Sequence, residues 1–107
     1  MKFVHNKDVA PTQLDAYTSR KILAYSDTLM PVEITCKAGA VGAPHTHAHE
    51  QVCYVISGSF SFTNDGETRV VNAGDSLRFA PGVLHGMHCL ADGKLLDVFT
   101  PCRKDFL

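Results

Sequence analysis

Between Gly39 and Gly58 the chain reads GAVGAPHTHAHEQVCYVISG, and no other stretch limits the possible folds so tightly. Three histidines fall at alternate positions, His45, His47 and His49, and Glu50 and Gln51 follow directly. In an extended segment side chains alternate between faces, so His45 and His47 point the same way with Cα atoms roughly 7 Å apart. Two imidazoles so placed can converge on one metal ion. A straight strand would carry Gln51 roughly 20 Å from His45, too far to share that ion. The backbone therefore has to turn between Ala48 and Glu50, and where the bend falls decides whether His49, Glu50 or Gln51 swings inward.

The flanking sequence reads as short strands. Arg20–Tyr25 and Val32–Lys37 precede the histidines; Gln51–Ile56, Ser59–Thr63, Glu67–Val71, Ser76–Phe79, His85–Leu90 and Lys94–Thr100 follow. Turn residues separate them, with Asn64-Asp65-Gly66 as a hairpin turn and Pro81-Gly82 and Ala91-Asp92-Gly93 as further breaks. Ser59–Thr63 alternates, which buries Phe60 and Phe62 on one side. Lys2–Val9 reads as an edge strand or arm, and Pro11–Ala16 as a turn or a single helical turn. No segment carries a sustained helical period. Many short strands divided by Gly, Pro and Asn predict an all-β chain, an antiparallel sandwich or barrel.

At 107 residues the chain reads as a single domain over 1–107, large enough to bury one core without staples. A formal charge of -1 argues against nucleic acid or an anionic membrane as partner. The opening MKFVHNKDVA lacks the apolar run of an export signal, and no stretch has the length of a membrane span, so the expected compartment is the cytoplasm. Cys36, Cys53, Cys89 and Cys102 contain no C-x-x-C pair and read as reduced thiols. Cys53 lies in an apolar run as a small hydrophobe, and Cys89 is close enough to His85 in sequence to be weighed as a soft ligand. His5 and His88 read as surface residues; His88, three places after His85, faces the other way on a strand.

A second half-site follows: Gly74-Asp75-Ser76-Leu77-Arg78-Phe79-Ala80-Pro81-Gly82-Val83-Leu84-His85. Together the two stretches resemble the paired motifs of the cupin superfamily, in which a Gly, two alternate His, a Glu and a Gly precede a later Gly, Pro, Gly and His. The resemblance implies a double-stranded β-helix, the cupin jelly-roll barrel, with a metal held by His45, His47, His85 and the residue at 51. Ala80 and Cys89 depart from the usual motif, where Pro and often Asn stand. The departure with chemical weight is Gln51 in place of Glu. Three imidazoles and an amide leave a divalent ion its full charge, which suits Lewis-acid and proton-shifting chemistry. It suits the two-His-one-carboxylate iron oxygenases poorly.

The tail Leu95-Leu96-Asp97-Val98-Phe99-Thr100-Pro101-Cys102-Arg103 resembles the ending of the small pectin-degradation cupins of the KdgF type. That resemblance implies a metal-dependent enzyme acting on 4,5-unsaturated monouronates left by pectin or alginate lyases. The cyclic sugar acid is converted to its linear keto form, an isomerase-type ring opening. By the same carry-over Asp97 matches a proton-transfer carboxylate, and Phe99 and Arg103 match substrate-contacting positions, with Phe99 shaping the pocket and the planar fork of Arg103 holding the substrate carboxylate. On a strand Leu95, Asp97 and Phe99 share one face, which places a carboxylate among apolar neighbours near a metal. Burial would raise its pKa and the cation would lower it. The expected cofactor is one divalent transition metal, since nickel, zinc, iron and manganese all accept imidazole. The expected partners are a small anionic sugar acid and a second copy of the chain in a homodimer. Other readings to weigh are a different cupin sugar isomerase, a metal-dependent dioxygenase, or a non-enzymatic ligand-binding cupin.

Overall fold

The computed structural model describes all residues from Met1 to Leu107. Its eight strands are β1 (Thr12–Gln13), β2 (Thr18–Ile22), β3 (Met30–Cys36), β4 (Val41–His45), β5 (Glu50–Asn64), β6 (Glu67–Asn72), β7 (Ser76–Phe79) and β8 (His85–Thr100). Single 3-10 turns occupy Asn6–Asp8 and Lys104–Phe106. No helix is long and apolar enough to cross a membrane. Every strand pair is antiparallel, in the order β1-β2-β3-β8-β5-β6, with β4 also on β8 and β7 also on β5.

The architecture follows from β5 and β8, which pair along nearly their whole length while each half takes a different second neighbour. The first half of β5 pairs with β7 and its second half with β6; the first half of β8 pairs with β4 and its second half with β3. Two long strands bent in the middle thus wrap the sheet around a core. This is the double-stranded β-helix expected from the paired motifs.

Two expected breaks are bends instead. Gln51–Ile56 and Ser59–Thr63 form one strand, and so do His85–Leu90 and Lys94–Thr100, with register shifts between Val55 and Phe60. The cause is backbone-to-backbone contact: Gly58 has φ +82°, and a Cβ on Gly93 would lie 2.1 Å from the Ser57 carbonyl oxygen. Glycine here lets the ladder bend without opening. Gly93→Ala is accordingly expected to destabilise the fold by about 3 kcal/mol or more, read as a lower urea midpoint. At the N-terminus, Lys2–Val9 holds a 3-10 turn rather than a strand, and Pro11–Ala16 holds the two-residue β1. The Asn64-Asp65-Gly66 hairpin is as expected, with Asp65 at φ 50° and Gly66 at φ 83°, both left-handed.

Along β5 the side chains alternate, so Gln51, Cys53 and Val55 face inward and Val52, Tyr54 and Ile56 outward. Phe60, Phe62, Phe79, Cys89 and Leu95 fill one core. Met30, Val32, Phe99 and Cys102 fill a second at the other end. All four cysteines are buried free thiols. His45, Gln51 and His85 line a cavity of about 250 Å³ in the barrel, together with side chains of both cores.

Candidate metal centre and its cavity

His45 ends β4, His47 follows in the irregular segment, the chain bends at Ala48–His49, and Gln51 is the second residue of β5. The strand that was to carry both early histidines stops at the first of them. His85 opens β8 and pairs with His45 directly. The ligating atoms of His45, His47 and His85 all lie within 4.8 Å of one another. Ring centroids are 4.6 Å apart for His45–His85 and 4.8 Å for His47–His85.

Each of the three rings presents Nδ1 to a backbone carbonyl: Ala43 at 2.9 Å, His49 at 2.8 Å and Val83 at 3.0 Å. A carbonyl only accepts, so the proton is assigned to Nδ1 and the lone pair to Nε2. That is the arrangement by which outer partners orient metal-binding imidazoles. His85 Nε2 is buried with no hydrogen-bond partner. Gln51 Oε1 stands 2.9 Å from His47 Nε2. With His47 Nδ1 protonated, these two atoms turn lone pairs toward each other, which a shared cation relieves. His85 also stacks on Phe79, centroids 4.4 Å apart and 12° from parallel, and burial lowers its pKa so that it stays neutral. The donor set therefore fits a divalent ion.

Gln51 has a second contact that explains its identity. Its Nε2 donates to Asp97 Oδ1 at 2.9 Å, so the amide turns oxygen to the histidines and nitrogen to the carboxylate. A glutamate at 51 would set two carboxylates against each other. Asp97 faces Cys53 across the β5–β8 ladder. Burial is the largest influence on Asp97 and pushes its pKa up to about 6, against the opposing pull of the Gln51 hydrogen bond, the neighbouring Cys53 thiol and the Arg103 charge. Its strand neighbours on the same face, Leu95 and Phe99, are buried, so the expected apolar setting is found.

The tail packs onto the barrel. Lys104–Phe106 folds back over the barrel, Arg103 is 9% exposed, and its guanidinium lies 5.0 Å from the Phe99 ring centroid. Arg103 Nε and Nη2 donate to Asp105 at 3.0 and 2.8 Å. Of the competitors for the fourth ligand position, Glu50 pairs with Arg78 at 2.7 Å on the outside. His49 gives its carbonyl to His47 and sets its ring edge-on to that of His47, centroids 5.8 Å apart, outside the three histidines whose ligating atoms converge. Cys89 is buried in the core with its thiol on the Ala91 carbonyl, outside the His cluster. His5 and His88 are exposed.

Three contributors escaped sequence reasoning: Cys53 as the cross-strand neighbour of Asp97, and Arg20 and Phe106 in the cavity wall. The Gln51/Cys53 alternation carried the signal for the first. For Arg20 the signal was the period of two across Thr18, Arg20 and Ile22, which puts a charge on the inner face.

The family model described as the cupin domain matches residues 32–99. The chain is 42% identical over 90 residues to the pectin degradation protein KdgF of Dickeya dadantii, an alignment covering 82% of each chain. Among solved structures it superposes on KdgF from a Halomonas species with a TM-score of 0.96 and 34% identity, covering 100% of this chain and 99% of that one. An RmlC-like cupin from Shewanella frigidimarina gives a TM-score of 0.96 at 36% identity over 100% of this chain and 96% of the other.

Proposed function

The chain belongs to the cupin family, and from that premise we propose that it is a metal-dependent enzyme converting 4,5-unsaturated monouronates to their linear keto form. The observation that carries the reading is the Gln51 amide, which joins a set of neutral nitrogen ligands on one side to a carboxyl of raised pKa on the other. The similarity to two KdgF proteins, one named for pectin degradation, supports a sugar acid as substrate.

His45, His47, His85 and Gln51 would hold a divalent ion, whose Lewis acidity stabilises negative charge on a substrate oxygen. The substrate is a cyclic hemiacetal whose ring oxygen is attached to the C4–C5 double bond. Asp97, ionised at neutral pH, takes the proton of the anomeric hydroxyl. The C1–O bond then breaks, C1 becomes an aldehyde carbon, and the electron pair stays on the ring oxygen as an enolate. Protonation at C4 turns that enolate into the ketone, and Asp97, carrying the proton it took, is the group to deliver it. Atoms balance without oxidant or water. Phe99 shapes the wall beside Asp97, and Arg103 adds positive charge next to it.

The test uses the absorbance of the conjugated double bond. Purified, metal-loaded protein is mixed with unsaturated monouronate from exhaustive pectin-lyase or alginate-lyase digestion. Loss of absorbance well above the spontaneous rate, with no oxygen consumed, is the expected result. A rate equal to that of buffer with both substrates would sink the reading. Gln51→Glu is expected to keep or raise metal content while lowering kcat at least tenfold, because the new carboxylate neutralises the ion and repels Asp97. Metal analysis beside the kinetics separates the two effects.

A further inference from the structure

Arg20 takes no part in the scheme above, yet it lines the same cavity as His45, Gln51 and Asp97. Its position in β2, opposite Ile34 of β3, puts it on the inner face of the barrel in line with Leu95 of β8. The Arg20 guanidinium carbon lies 3.9 Å from the Phe106 ring centroid, and that of Arg103 lies 4.2 Å from the same centroid. Two like charges that close to one ring fit only on its opposite faces.

The two cations differ in what neutralises them. Arg103 commits one edge of its fork to Asp105. Arg20 is in none of the four salt bridges, and its Nε is buried with no hydrogen-bond partner. A partly desolvated guanidinium without a counter-charge is costly, and an anion entering the cavity offsets that cost. The planar terminal nitrogens suit a carboxylate better than a neutral hydroxyl.

We propose that Arg20 is the residue that recognises the carboxylate of the ligand, so that the cavity selects monocarboxylated sugars over their neutral counterparts. Arg103, already held by Asp105, acts at the Asp97 end of the cavity and not as the carboxylate anchor. The proposal rests on the sugar-acid reading of the site, and its test does not need turnover.

The test is a calorimetric titration of metal-loaded wild type, Arg20→Gln, Arg20→Lys and Arg103→Gln with saturated galacturonate and with galactose. Wild type is expected to bind the acid at least tenfold more tightly than the neutral sugar. Arg20→Gln is expected to erase that preference, Arg20→Lys to keep part of it, and Arg103→Gln to keep most of it. With the unsaturated acid, Arg20→Gln is expected to raise KM at least tenfold and leave kcat within about threefold, the mark of lost uniform binding. A wild type without preference for the acid overturns the proposal. So does an Arg20 variant with a native melting curve and undiminished preference; if Arg20→Gln does not fold, Arg20→Lys decides. Absence of turnover with the preference and its Arg20 dependence intact would remove the proposed reaction and leave Arg20 as the anchor.

Discussion

Asp97→Asn is expected to lower kcat by about two to four orders of magnitude, the range for a positioned acid–base group, without changing metal content. Asparagine fills the same volume and its carbonyl still accepts the Gln51 N–H, so the loss isolates proton transfer from geometry. The same substitution is expected to make the ion-free protein more stable at neutral pH. The folded pKa of about 6 lies above the ordinary aspartate value of 3.8, so between these values the native state binds more protons than the unfolded one. Stability contributed by the protonated carboxyl is therefore present below pH 4 and lost as pH rises through 6. Above that, wild type carries the full cost of a buried carboxylate, which Asp97→Asn removes, a gain of up to about 3 kcal/mol. Urea unfolding at pH 4 and pH 8 checks the sign: the variant gains at pH 8 only. The acid limb of kcat/KM should fall at or below about pH 6, since a bound cation pulls the carboxyl down. Wild-type turnover by this variant would remove Asp97 from the mechanism.

Stripping the ion with a chelator, or replacing His85 by alanine, is expected to reduce activity by about three orders of magnitude or more. The two treatments part on restoration. Added divalent metal returns the chelated wild type to full activity, because its three Nδ1–carbonyl contacts come from backbone that the ion does not build. His85→Ala does not recover, and removal of a ring stacked on Phe79 also costs about 2–4 kcal/mol. Metal at a hundredfold its Kd should stabilise wild type by about 2.7 kcal/mol and His85→Ala by far less. Full activity in thoroughly stripped protein would mean that the histidine cluster serves packing alone.

Packing around the site is continuous with packing of the fold. Gln51, Cys53 and Val55 alternate inward on β5, so one strand supplies a candidate ligand, the cross-strand neighbour of Asp97 and a core side chain in three successive inward positions. The bend at Gly58 and Gly93 is what lets β5 and β8 keep their pairing at both ends of the barrel. A lesion there is expected to reach the site, although neither Gly58 nor Gly93 lines its cavity.

The residue pattern by itself determined the strand period, the alternation that buries Phe60 and Phe62, the shared face of Leu95, Asp97 and Phe99, and the pair of motifs that put three histidines and Gln51 together. These are local or motif-level properties, legible because a strand repeats every two residues whatever surrounds it. Only the tertiary structure decided that Glu50 leaves for Arg78, that the Gln51 amide faces Asp97, that Arg103 turns to Asp105, and that Arg20 stands without a counter-charge. Those outcomes depend on ladder register between distant segments and on how much water each group loses. Neither quantity is written in the spacing of residues along one strand.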